Sequence, residues 1–211
     1  MYVHDRRSIR LKGYDYAQSG AYFVTICTQD RVCLLGDLVG EEVRLSDAGR
    51  TIQTVWDELS DHYPGAETDT FVVMPNHIHG IVVLVGSNPG VGVGPCAYPD
   101  QGQTPKRIGQ PQGVAPTGLS LSGMVHRFKT LTTKLYADGM KQSVWPPFRG
   151  RLWQRNYYEH VIRSDRELDQ IREYIATNPL RWAMDRENPQ RTGYSAEEKA
   201  LFGLEQPRIS Q

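Results

Sequence analysis

The stretch from Phe71 to Val85 restricts the fold more than any other part of the chain. Phe71-Val-Val-Met and His77-Ile-His-Gly-Ile-Val-Val-Leu-Val are two strand-like runs separated only by Pro75-Asn76. Proline and asparagine suit the two central positions of a tight turn, so the runs read as an antiparallel hairpin. After Gly80 the second run is apolar at every position. That pattern belongs to a central strand covered on both faces, which requires a layer of helices or loops on each side of one sheet.

The flanking sequence supplies those layers. Residues 21–28, Ala-Tyr-Phe-Val-Thr-Ile-Cys-Thr, are β-branched and aromatic and read as a further strand. Val32–Leu35 and Val43–Leu45 flank turn residues and are expected to pair as a small hairpin. Ser46 is placed to cap a helix over 47–60, with Ile52, Val55, Trp56 and Leu59 at helical spacing. A second helix is expected from Leu121, Met124, Val125, Phe128, Leu131 and Leu135. Residues 151–162 read as a strand with its approach. Ser164 or Asp165 then caps a last helix, with Leu168, Ile171 and Ile175 on one side and Pro179 as its stop. The order strand, helix, strand, strand, helix, strand, helix is that of an α+β fold: a ferredoxin-like antiparallel sheet with packed helices. One domain over 1–185 is expected, followed by a tail over 186–211. Residues 86–118 are rich in Gly, Pro and Gln without apolar periodicity and read as a flexible insert.

Charge narrows the class of partner. Net charge is zero, but it is unevenly distributed along the chain. Asp37 to Asp69 holds nine acidic residues against two arginines, a balance of −7; Lys106 to Arg155 holds nine basic residues against Asp138 alone, a balance of +8. A basic face suited to phosphate follows, with Arg127, Lys129, Lys134, Arg149, Arg151 and Arg155 as the expected nucleic-acid contacts. No apolar run approaches the roughly 20 residues of a membrane span. Three cysteines without a C-x-x-C pair, and a beginning without an apolar leader, point to a reducing, cytoplasmic setting.

His77 and His79 stand two apart in a strand, so both imidazoles leave the same face. Together they form a two-donor clamp for a divalent metal. Tyr174 and Asn178 lie one helical turn apart at the edge of the apolar stripe of the last helix. Asn178 can offer a carbonyl oxygen as third ligand, and an N,N,O set with open positions suits Mg²⁺ or Mn²⁺. Each residue also has a plain structural role available, Tyr174 as a core tyrosine and Asn178 as a helix C-cap.

Met74-Pro-Asn-His-Ile-His-Gly-Ile resembles the HUH motif (His, hydrophobic, His) of single-strand DNA endonucleases. Glu173-Tyr-Ile-Ala-Thr-Asn-Pro resembles the nucleophile helix of single-tyrosine transposases. With the Arg7–Tyr22 segment, Phe128-Lys-Thr and Trp153-Gln-Arg-Asn-Tyr-Tyr-Glu-His-Val-Ile, the chain is similar to the REP-associated tyrosine transposases over about residues 6–85 and 120–182. The resemblance implies an HUH ferredoxin-like fold, a divalent metal, hairpin-forming single-stranded DNA as partner and a 5′-phosphotyrosine intermediate. By that resemblance His77, His79 and Asn178 hold the metal and Tyr174 attacks. The insert and the tail have no clear counterpart. Two other functions fit the same residues: a DNA- or RNA-binding regulator that makes no cut, and a metallo-phosphodiesterase that uses water. Monomer and homodimer, with the tyrosine acting in cis or in trans, both stay open.

Overall fold

The computed structural model describes residues 14–85, 120–142 and 145–191. The 86–118 insert and residues 192–211 of the expected tail lie outside them. Four antiparallel strands form the sheet in the order β4-β5-β1-β6: β1 is Gly20–Cys27, β4 Ala66–Val73, β5 His77–Leu84 and β6 Tyr158–Ile162. This is the ferredoxin-like arrangement, and the two-sided strand β5 lies inside the sheet between β4 and β1, as its apolar run requires.

Side-chain alternation sends each strand's residues to two separate cores. Tyr22, Val24, Ile26, Ile78 and Val82 pack under helices α1 (Asp47–Asp57) and α3 (Leu121–Lys141) with Ile52, Trp56, Met124 and Phe128. Ala21, Phe23, Ile81 and Ile162 face α4 (Asp165–Thr177) through Leu168, Ile171, Tyr174 and Ile175. Serines start α1, α3 and α4: Ser46 and Ser164, as the sequence suggests, and also Ser120 accept from the N–H of Gly49, Glu167 and Gly123, respectively. Gly80 has a packing reason. A Cβ there would come within 2.4 Å of the Trp56 ring, which stacks on Phe71 at a centroid distance of 4.5 Å.

Three expected boundaries move. The small hairpin pairs β2, Gly36–Val39, with β3, Glu42–Leu45, rather than starting at Val32. Leu34 and Leu35 are drawn instead into the core, where the Leu35 N–H donates to Pro75 O at 3.0 Å. Gly40, at φ +66°, makes the tight reversal between the strands. The helix over 47–60 ends at Asp57 and is followed by a separate single turn, α2, over Leu59–His62. The last strand begins only at Tyr158, and Trp153 makes a single bridge with Thr28 before it.

A bulge between Thr68 and Phe71 interrupts β4 at Asp69. Both Asp69 oxygens take the Arg172 guanidinium of α4, at 3.0 and 2.6 Å. That hydrogen-bonded partner lowers the Asp69 carboxyl to about 2. The folded-state value lies below the unfolded one, so the pair stabilises above the ordinary carboxylate range, and the contribution fades as pH falls toward about 2. The pair is partly exposed, so Asp69→Asn should cost about 1 kcal/mol or less near neutral pH. Urea unfolding of both proteins should show that gap closing in acid.

Candidate metal and nucleophile site

The Pro75-Asn76 turn is fixed by the ends of neighbouring segments. Thr28 N and Thr28 Oγ1 donate to Asn76 O at 2.8 and 3.0 Å, and Met74 N donates to His77 O at 2.8 Å. Asn76 is fully buried. Its Nδ2 donates to the carbonyls of Arg31 and Glu187 at 3.0 and 2.8 Å, while its Oδ1 lies 2.9 Å from His77 Nδ1. On the next strand, Thr25 Oγ1 lies 2.8 Å from His79 Nδ1. Both histidines are thus held through Nδ1, which turns both Nε2 atoms inward, 3.0 Å apart. Metal-binding histidines are oriented in just this way by a partner on the other ring nitrogen. Burial pulls the His77 pKa down to about 4, so the ring is neutral and its Nε2 lone pair is available.

Around this pair the structure gathers residues from α4 and from the chain beyond it. The Tyr174 ring lies 5.3 Å from that of His79 and 6.0 Å from that of Phe23. Asn178 is 1 % exposed, and its Oδ1 is buried with no hydrogen-bond partner. Asp185 brings a carboxylate oxygen to 3.7 Å from His77 Nε2 and 3.9 Å from His79 Nε2. His77, His79 and Asp185 are the three acidic, cysteine or histidine residues that could share one ion among the described residues. The donor chemistry fits a divalent metal: two inward imidazole nitrogens and two buried oxygens that no donor satisfies.

The sequence reading missed three participants. Asn76 carries a faint sequence signal, as an amide beside a histidine in a tight turn. Asp185 and Glu187 follow Pro179 in a stretch without periodicity and carry none. Of the adjacent tyrosines Tyr157 and Tyr158, rival nucleophiles by sequence of which at most one can face the metal site, it is Tyr158 that does so. Thr25 pairs with His79 on one side and with Tyr158 on the other, so Tyr158, Thr25 and His79 form one row across the sheet on the α4 face. Tyr158, Tyr174, Arg186 and Glu187 line the same narrow cleft. Tyr157 points away; it packs with the α1/α3 core, and Lys129 Nζ lies 5.3 Å from its ring centroid.

The basic residues divide. Arg127, Lys134, Arg149, Arg151 and Arg155 are exposed. Arg149 to Arg155 run alongside the end of β1 that pairs with His77, where Gln29 N donates to Leu152 O and Gln154 N to Cys27 O. Lys129 differs from the expectation that it meets phosphate. Its ammonium donates to the carbonyls of Gln154, Arg155 and Asn156 at 2.9, 3.4 and 3.1 Å, and burial lowers its pKa to about 8. Its charge is spent on shaping the loop that presents Arg155.

Asn76→Ala should therefore do more than loosen a turn. It leaves His77 Nδ1 without its partner and the Glu187 carbonyl without a donor. Mn²⁺ affinity should fall about 10- to 100-fold, read by calorimetric titration, while far-ultraviolet circular dichroism stays that of the wild type.

An uncharacterized protein of Haemophilus influenzae is 35 % identical over 189 residues, covering 87 % of this chain and 93 % of that protein. A second H. influenzae protein, provisionally named a REP-associated tyrosine transposase, is 25 % identical over 169 residues, covering 79 % of this chain and 74 % of its own. The solved structure of a REP-associated tyrosine transposase bound to a REP hairpin has a TM-score of 0.50 at 15 % identity, covering 93 % of this chain and 88 % of that one; at this identity the likeness shows a shared fold. No family model matches the chain. Among the described residues, no helix is long and apolar enough to cross a membrane.

Proposed function

We propose, from its similarity to REP-associated tyrosine transposases, that the chain cuts and rejoins hairpin-forming single-stranded DNA through Tyr174. The observation that carries the reading is the convergence of Tyr174 from α4 on His79 of β5, beside the inward-facing His77 and the unsatisfied Asn178 oxygen. His77, His79 and Asn178 would hold Mg²⁺ or Mn²⁺. Such an ion supplies Lewis-acid polarisation of the scissile phosphate.

The chain's own residues do the rest. The Tyr174 oxygen attacks phosphorus, forming a tyrosyl ester with the 5′-phosphate as the bond to the 3′-oxygen breaks. The tyrosine gives up its proton, and the freed 3′-oxygen gains one. One phosphodiester replaces another, so rejoining reverses the step without a nucleotide energy source; the sequence accordingly lacks a G-x-x-x-x-G-K-[ST] phosphate loop. Packing against Phe23 and His79 restricts the Tyr174 ring, which lowers the entropic cost of in-line attack. Arg149, Arg151 and Arg155 are exposed and would hold the strand's phosphates, and Arg186 borders the cleft. The cleft volume is about 20 Å³, room for an ion or a water and not for a nucleotide, so a DNA strand must widen it.

Incubation with a single-stranded hairpin and Mn²⁺, followed by a denaturing gel, tests the proposal. A DNA species retarded by covalently attached protein is expected. Hydrolysed ends without adduct would point to a water-using phosphodiesterase, and uncut, unattached DNA to a binding protein.

A further inference from the structure

Asp185 stands outside the His77, His79 and Asn178 set, yet its carboxylate is arranged as a ligand is. Its Oδ1 accepts the Glu187 N–H at 2.5 Å, an Asx-type turn that fixes the carboxylate plane. Its Oδ2 is buried, has no hydrogen-bond partner, and faces both imidazoles. A buried anionic oxygen without a donor costs several kcal/mol unless a cation meets it. The segment carrying it is anchored independently of the histidine rings. Asn76 Nδ2 holds Glu187 O at 2.8 Å, Arg31 Nε holds Glu187 Oε2 at 2.8 Å, and Asn188 Nδ2 holds Trp182 O at 2.8 Å. Asp185 is thus delivered to the pair by the fold, not drawn there by attraction alone.

The spacing agrees with a shared ion. Donors about 2.1 Å from one six-coordinate ion lie roughly 3 Å apart when adjacent and about 4.2 Å apart when opposite. The two Nε2 atoms are 3.0 Å apart, and Asp185 Oδ2 is 3.7 and 3.9 Å from them, within that span. We infer that Asp185 is a fourth, anionic donor to the ion that His77, His79 and Asn178 hold. The inference rests on the metal reading above and deepens it. With one carboxylate among the donors, a divalent ion keeps a net positive charge toward phosphate, and two positions remain for substrate oxygens. Metal binding would also pin the segment after α4 to the hairpin that carries the histidines.

The test uses the full chain stripped of metal, with Mn²⁺ as the probe. Wild type, Asp185→Asn, Asp185→Ala and His77→Ala are titrated by calorimetry and melted with and without Mn²⁺. The wild type should bind one ion per chain and gain thermal stability from it. Asp185→Asn and Asp185→Ala should bind at least tenfold more weakly and lose most of that gain. Their metal-free melting temperatures should match or exceed the wild type's, since an unpaired buried anion is gone. Asp185→Asn keeps an oxygen for the Glu187 N–H and carries the test if the alanine variant folds poorly. Wild-type Mn²⁺ affinity in both Asp185 variants overturns the inference while leaving the histidine site standing. So does a lower metal-free melting temperature with the full Mn²⁺ gain retained, which would make Asp185 structural. No binding by the wild type, or undiminished binding by His77→Ala, overturns the metal reading and this inference with it.

Discussion

Tyr174→Phe should fold, bind Mn²⁺ and bind a DNA hairpin as the wild type does, and form no covalent DNA adduct. The substitution removes one oxygen. The ring that packs at 6.0 Å from Phe23 and 5.3 Å from His79 stays, so the buried face of α4 is unchanged. Loss of the nucleophile removes the chemical step itself, and cleavage should drop on the order of a thousandfold or more. The informative control is Tyr158→Phe. Tyr158 shares the cleft and lies in the Tyr158–Thr25–His79 row. It is, however, two strands from His79, about 10 Å of sheet. It should retain adduct formation, as should Tyr157→Phe on the opposite face. Gel quantification of adduct for the three variants checks all of this.

His77→Ala should abolish cleavage and reduce Mn²⁺ binding below detection, with hairpin affinity changed no more than severalfold. Hairpin binding depends mainly on phosphate contacts by exposed basic residues, not on the imidazole pair. The ring is fully buried, bonded to Asn76 and stacked 6.0 Å from Trp182, so its loss also leaves a cavity worth about 2 kcal/mol. His77→Gln fills most of that space and separates the two effects: its stability should recover, its cleavage should not. Cleavage at the wild-type rate by either variant would remove His77 from the site.

The parts of this site that were legible in the sequence follow simple periodicities. A two-residue repeat puts His77 and His79 on one face, and a four-residue step puts Asn178 one turn after Tyr174. The serine caps of α1 and α4 are local chemistry, read from single residues. Cross-strand register is not local. Nothing in the sequence says that Thr25 lies opposite both His79 and Tyr158, so which of the two rival tyrosines, Tyr157 or Tyr158, faces the site became visible only in three dimensions. The same holds for Lys129. Its position in a helix with a basic exposed face suggests phosphate, whereas its ammonium reaches the carbonyls of Gln154, Arg155 and Asn156, some 25 residues later in the chain. Glu187 is held by hydrogen bonds to Asn76 and Arg31, and Asp185 by the Glu187 N–H, rather than by an apolar stripe, and patterning detects only the latter. The small hairpin shifted for a related reason: Leu34 and Leu35 are as apolar as strand residues but serve the core.

The central claim is that the phosphate is transferred to Tyr174, and the most direct measurement is to locate the attached nucleotide. Wild-type protein is reacted with a single-stranded hairpin and Mn²⁺, the adduct is trimmed with nuclease and trypsin, and the modified peptide is sequenced by mass spectrometry. Cleavage after Arg172 and Arg181 releases peptide 173–181, which contains Tyr174 alone among tyrosines; cleavage after Arg155 and Arg163 releases 156–163, which contains Tyr157 and Tyr158. The expected result is a phosphonucleotide on 173–181, at Tyr174. A phosphonucleotide on 156–163, or DNA cleaved with no peptide modified, would contradict it.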